Sequence, residues 1–213
     1  GMTQTELQKV TRLKKATLFV LIATLLENKV VRYDEGTKQY RLGFRLTSWA
    51  GAVDAGNDLK QTGYKYLEKL TTLTLETSHL AVLDGNEIIF IDKVESSEPL
   101  KMSSKVGSRH SLDAPATAKA IFAFLEPKIQ EKLLASMKFE KLTSNTVTGK
   151  EQYLQRTAEA IHLGYAIDDE EILPGTRCVA APVFNGNGKV CAAIGITAPA
   201  IRLTRERVSE VGE

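Results

Sequence analysis

The sequence predicts an α+β chain in two parts. A small N-terminal winged helix-turn-helix, a linker helix and a larger C-terminal α/β domain on an antiparallel sheet are expected. Three observations carry this reading. A basic, helix-patterned stretch ends in a short hairpin pattern near residue 42. Alternating apolar residues flank two turn signals, Asp84-Gly85-Asn86 and Asn185-Gly186-Asn187-Gly188, as antiparallel pairs require. Helical patterns lie between these hairpins, which points to α+β.

The basic head sets the first expectation of function. The chain has 213 residues and a net charge of +2. Residues 1–45 hold nine Lys/Arg against four acids, leaving +5 there and −3 in the remainder. A basic head on a mildly acidic body fits a polyanion partner, and equally a solvated charge fluctuation. Thr5 reads as the N-cap of a helix over 6–10, followed by a turn at Thr11-Arg12-Leu13. A second helix is expected over 14–27, ended by Asn28 in the left-handed conformation. Residues 30–33 and 38–42 then form a hairpin around Gly36. In that arrangement Lys14, Lys15 and Thr17 offer donors to DNA, and Lys38 and Arg41 in the wing meet phosphates. The second helix is nonetheless apolar almost all round, and it keeps open a head that binds proteins instead.

Helices over 49–60 and 64–77 connect the parts. Strands are expected at 78–83, 87–94 and 100–105. Asp113 is expected to cap a helix reaching 125, followed by helices at 127–137 and 150–163, the latter stopped by Gly164. The last hairpin pairs 177–184 with 189–197. A turn centred between Gly186 and Asn187 places Cys178 opposite Gly195 and Cys191 opposite Pro182. Thr176, Cys178, Ala180, Ala193, Gly195 and Thr197 then share a small, partly polar face, and bulky aliphatics share the other. A small face suits a ligand pocket or close helix packing. The cysteines lie about 13 Å apart in that register, too far for a disulfide. The helix opening near Asp113 starts with the small residues 114–118, so its free amides suit an anion, and the other reading is an ordinary capped helix start that binds only water.

Other chemistry finds little support. His79, His110 and His162 lack ligand spacing, and no C-x-x-C, P-loop, G-x-S-x-G or dinucleotide fingerprint occurs, so neither metal nor cofactor is expected. A nucleophilic Cys178 needs a depressed thiol pKa. The longest apolar run, 18–23, is too short for a membrane span. With no secretory leader visible and only two cysteines, a cytoplasmic protein is expected. Gly1 ahead of Met2 reads as an expression scar.

Four stretches resemble the IclR family of bacterial transcription regulators: 33–43 (YDEGTKQYRLG), 79–96 (HLAVLDGNEIIFIDKVES), 106–109 (VGSR) and 164–198, with GYAIDDEE and RCVAAPV within it. The resemblance implies a winged helix lacking its first helix at 2–44, a linker at 45–61 and a GAF-like effector-binding domain at 62–213. It implies a repressor, not an enzyme, that binds operator DNA as a dimer or tetramer and answers to a small organic or aromatic acid. Matching family positions implies a pocket lined by Met102, His110, Ala116, Thr117, Asp168, Thr176, Cys178, Gly195 and Thr197. The chain departs from the family where Asp113 replaces a histidine, Ala118 a glycine and Val20 an arginine. A metabolite-binding module without specific DNA binding is the alternative.

Overall fold

The computed structural model describes residues 1–55, 58–101 and 105–213. The chain divides into two compact units, Gly1–Asp58 and Leu59–Glu213.

The smaller unit runs α1 (Gln4–Thr11), α2 (Lys15–Glu27), β1 (Val31–Asp34), β2 (Gln39–Leu42) and α3 (Arg45–Ala55). The N-cap of α1 is Thr3, two residues before the expected Thr5. Thr3 Oγ1 accepts from Glu6 N, and the Glu6 carboxylate accepts from Thr3 N at 2.7 Å, closing a capping box. Thr5 offers Gln8 in the same place, but a carboxylate suits a helix start better. In α2, Leu18 and Ile22 are buried, whereas Phe19 and Val20 are 65% and 62% exposed. Asn28 is not left-handed (φ −79°); Lys29 is, at φ 56°. Lys29 N bonds Leu26 O and Val30 N bonds Leu25 O, so the turn lies one residue later than expected. The hairpin pairs Val31 with Leu42 and Tyr33 with Tyr40. A Cβ on Gly43 would sit 2.1 Å from Lys29 O, so only glycine lets the chain leave the wing there.

The larger unit comprises α4 (Asp58–Thr74), β3 (Thr77–Asp84), β4 (Glu87–Val94), β5 (Arg109–Ser111), α5 (Ala116–Ala123), α6 (Pro127–Ser136), α7 (Lys150–Leu163), β6 (Ala166–Asp169), β7 (Thr176–Phe184), β8 (Val190–Pro199) and α8 (Arg205–Gly212). Its antiparallel sheet has the order β5-β4-β3-β8-β7-β6. One face packs on α5 through Ala180, Ala193, Ala116 and Ala120. The other gathers Val179 and Ile196 with Leu70 of α4 and Val208 of α8.

Three expectations change. The third strand is β5, not 100–105; Leu100, Lys101 and Lys105 are not strand, and residues 102–104 lie outside the described residues. Asp113 does not cap α5. Pro115 is the N-cap, and Asp113 instead accepts from Ser111 Oγ and from Phe139 N at 2.9 Å. The last hairpin is shifted by two, with Cys178 opposite Thr197 and Ala180 opposite Gly195. Its turn closes on Asn185 N to Lys189 O, one residue wider than a two-residue turn. A bulge adds the second step, since Val183 faces Ala192 but Phe184 faces Val190. Cys191 is the extra residue, and its thiol reaches Val183 O at 3.4 Å. An even shift preserves the faces, so the small face survives. Both cysteines are free.

Candidate functional site

Pro115, at φ −60°, pre-sets the entry to α5 and brings no side-chain cap to it. The amides of the first turn are therefore left to other partners. Ala116, Thr117 and Ala118 are all buried at this end. In front of them lies a cavity of about 320 Å³. Pro115, Ala116 and Thr117 line it from α5, His79 and Phe90 from β3 and β4, and Ser108 and His110 from the β5 side. Asp168 comes from β6, Ile172 and Leu173 from the following loop, Thr176 and Cys178 from β7, and Thr197 from β8; Lys105 completes the wall.

The lining is mostly apolar, yet two of its polar atoms are buried without a hydrogen-bond partner among the described residues: Thr117 Oγ1 and His79 Nδ1. Such atoms are rare in native interiors and each calls for a reason. The His79 ring centre lies 4.6 Å from that of Phe90, tilted by 46°, and Phe90 lies 5.1 Å from His110, tilted by 44°. Burial, with the nearby His110 adding, pushes the His79 pKa down to about 4, so the ring is neutral at pH 7. Burial likewise lowers His110, whose Nε2 lies 3.2 Å from Ser108 Oγ. Cys178 Sγ and Thr197 Oγ1 lie 3.3 Å apart. Burial, with Asp168 adding, pushes the thiol pKa well up, which opposes a nucleophilic role.

Asp168 belongs to a charged cluster behind the cavity. Its Oδ1 accepts from Glu171 N at 2.7 Å. Lys119 of α5, fully buried, donates from Nζ to Glu171 Oε1 at 2.5 Å and to Ile167 O at 2.8 Å. Burial raises the Asp168 pKa to about 6 against the opposing pull of Lys119. Lys119 and Asn145 cap the outward carbonyls of Ile167 and Asp169, so the edge strand β6 is closed to further pairing.

The structure thus brings His110, Ala116, Thr117, Asp168, Thr176, Cys178 and Thr197 around one cavity. Met102 lies outside the described residues. Gly195 is not in the wall: a Cβ there would meet Val179 O at 2.4 Å and Ala180 Cβ at 2.8 Å. From sequence, His79 is weighed only as a metal ligand, because no pattern marks a lone histidine as unpaired. Lys119, Phe90, Ser108, Ile172 and Leu173 were missed because only the packing of distant elements brings them to the site. In the smaller unit Lys14, Lys15, Thr17 and Lys38 are exposed, and Arg41 pairs with Asp34 at 3.5 Å.

Residues 52–213 match the family model described as the bacterial transcriptional regulator IclR C-terminal domain. The regulator XynR of Escherichia coli strain K12 is 32% identical over 193 residues, covering 91% of this chain and 77% of that protein. The crystal structure of the Thermotoga maritima IclR superposes with a TM-score of 0.77 at 27% identity, covering 99% of this chain and 85% of that one. An IclR homologue from Microbacterium hydrocarbonoxydans, crystallised with 4-hydroxybenzoate, shares the fold with a TM-score of 0.82 at 22% identity, over 99% of this chain and 88% of that one.

Proposed function

Because this chain belongs to the IclR family of bacterial transcriptional regulators, we propose that its larger unit senses a small organic acid and its smaller unit carries the response to DNA. One observation carries the sensor assignment: two buried polar atoms with no hydrogen-bond partner among the described residues belong to the lining of one cavity at the uncapped start of α5. A carboxylate takes the Ala116 and Thr117 amides together with Thr117 Oγ1. A second polar group on the ligand takes neutral His79, beside His110 and Ser108. Phe90, Ile172 and Leu173 suit a compact apolar or aromatic body, and Thr176, Cys178 and Thr197 close the far wall. The Microbacterium relative was crystallised with an acid of this kind. Gly195, implied by family position, is not part of this set, and Met102 lies outside the described residues.

In the smaller unit, Lys14, Lys15 and Thr17 at the start of α2 and Lys38 and Arg41 on the wing are the proposed DNA contacts. Residues 2–44, 45–61 and 62–213 act as reading head, linker and sensor. Two chains related by a two-fold axis match a palindromic operator in the cytoplasm. Among the described residues no helix is long and apolar enough to cross a membrane. A bound acid changes DNA affinity, and DNA changes acid affinity by the same factor.

The test is binding of the full chain to duplexes selected from a random pool, across a salt series. A dimer placing four cations per chain on phosphates gives a slope of log K against log salt of about −7. The acid that raises the melting temperature most should also shift the DNA affinity. A weak, flat response favours the second reading, a metabolite-binding module. The observation behind it is the exposed Phe19 and Val20 on α2, where base-reading donors are needed.

A further inference from the structure

We infer that the larger unit carries a second ligand site, separate from the acid cavity and suited to a small zwitterion of the amino-acid class. A cavity of about 730 Å³ lies at the β6 edge, between α7, α8 and the 141–148 loop. It shares no lining residue with the first: on β6, Asp168 lines the acid cavity, whereas Ala166, Ile167 and Asp169 line this one.

Glu171 lines the cavity and is 4% exposed. Its Oε1 is taken by Lys119, and its Oε2 is buried with no hydrogen-bond partner among the described residues. A bare, buried carboxylate oxygen marks a place for a donor. Charge decides which donor. Lys119 is a single ammonium beside two carboxylates, Asp168 and Glu171, so the cluster is left negative, and a ligand ammonium offsets it.

Along the rest of the lining the sign reverses, with Lys141, Arg156 and Arg205 present. Arg156 is shared with Glu159 at 3.1 Å and Arg205 with Asp169 at 3.0 Å. Lys141 has no ion pair among the described residues. A carboxylate meets these cations while the ammonium meets Glu171. A simple acid or a simple amine satisfies only one end.

This inference does not rest on the acid cavity being a sensor, and one variant separates the two. The full chain is screened by thermal shift, then calorimetry, against the twenty standard amino acids and their N-acetyl forms. At least one amino acid should raise the melting temperature, and its N-acetyl form should bind at least about ten-fold more weakly. Lys141→Ala/Arg156→Ala, which alters only exposed side chains, should abolish that binding, and Thr117→Val should leave it intact. No binding by any amino acid, equal binding of the acetylated form, survival in the double variant or loss in Thr117→Val would each overturn the inference.

Discussion

Lys119→Met should destabilise the larger unit by about 3–5 kcal/mol at pH 7.5, the cost of removing one partner of a buried ion pair. Lys119 is fully buried, and its ammonium bonds Glu171 Oε1 and Ile167 O. Methionine fills nearly the same volume, so the loss is one of charge rather than of packing. Two buried carboxylates then face each other without a cation, and the edge strand loses a cap on Ile167. Adding Glu171→Leu should recover most of the loss, because an apolar pair replaces a buried ionic pair at little cost. Urea unfolding followed by circular dichroism measures both effects. A change below 1 kcal/mol in Lys119→Met would show that the cluster does not hold α5 to β6.

Asp168→Asn should change how stability depends on pH. Two groups on the acid cavity titrate against each other. His79 has a folded pKa of about 4 against an ordinary 6.5. Unfolded chain takes up its proton first, so stability falls as pH drops from 6.5 to 4, by about 3 kcal/mol. Asp168 has a folded pKa of about 6 against an ordinary 3.8. Folded chain takes up that proton first, so stability rises as pH drops from 6 to 3.8, again by about 3 kcal/mol. In the native chain the two nearly cancel. Asparagine keeps an acceptor for Glu171 N but removes the titration. Relative to native, the variant should therefore lose about 3 kcal/mol between pH 7 and pH 4. Parallel curves from denaturant midpoints at four pH values would show that Asp168 does not carry the raised pKa.

These two results concern residues that the sequence exposes unequally. The small face of the last hairpin was legible, because side chains alternate whatever the register. Its register was not, because the wider turn and the bulge at Cys191 leave no mark in the residue pattern. The run of small residues at the start of α5 marked it in the sequence as a candidate anion site. It misassigned Asp113, which lies close enough in sequence to cap the helix but folds back to Phe139. Asp168 was reached only through family resemblance, and its partner Lys119 not at all. A lysine among alanines reads as an exposed helix position, and only the packing of α5 against β6 makes it central. His79 was weighed only as a metal ligand. Its meaning lies in an unpaired nitrogen, a property of the folded surroundings and not of the residue.

In the proposed sensor a small carboxylate binds at the start of α5, and Thr117 is the side chain that reports on it. Its hydroxyl is buried without a partner among the described residues, so Thr117→Val should leave the free protein as stable or slightly more stable. With the acid bound, the same change removes a hydrogen bond to a charged group, worth about 1.5–3 kcal/mol. Calorimetric titration of both proteins with benzoate, 4-hydroxybenzoate and short aliphatic acids makes the comparison. At least one acid should bind the native chain, and the valine variant should bind it about 10- to 100-fold more weakly. Equal affinity for both proteins, or no binding by any acid of the panel, would contradict the account.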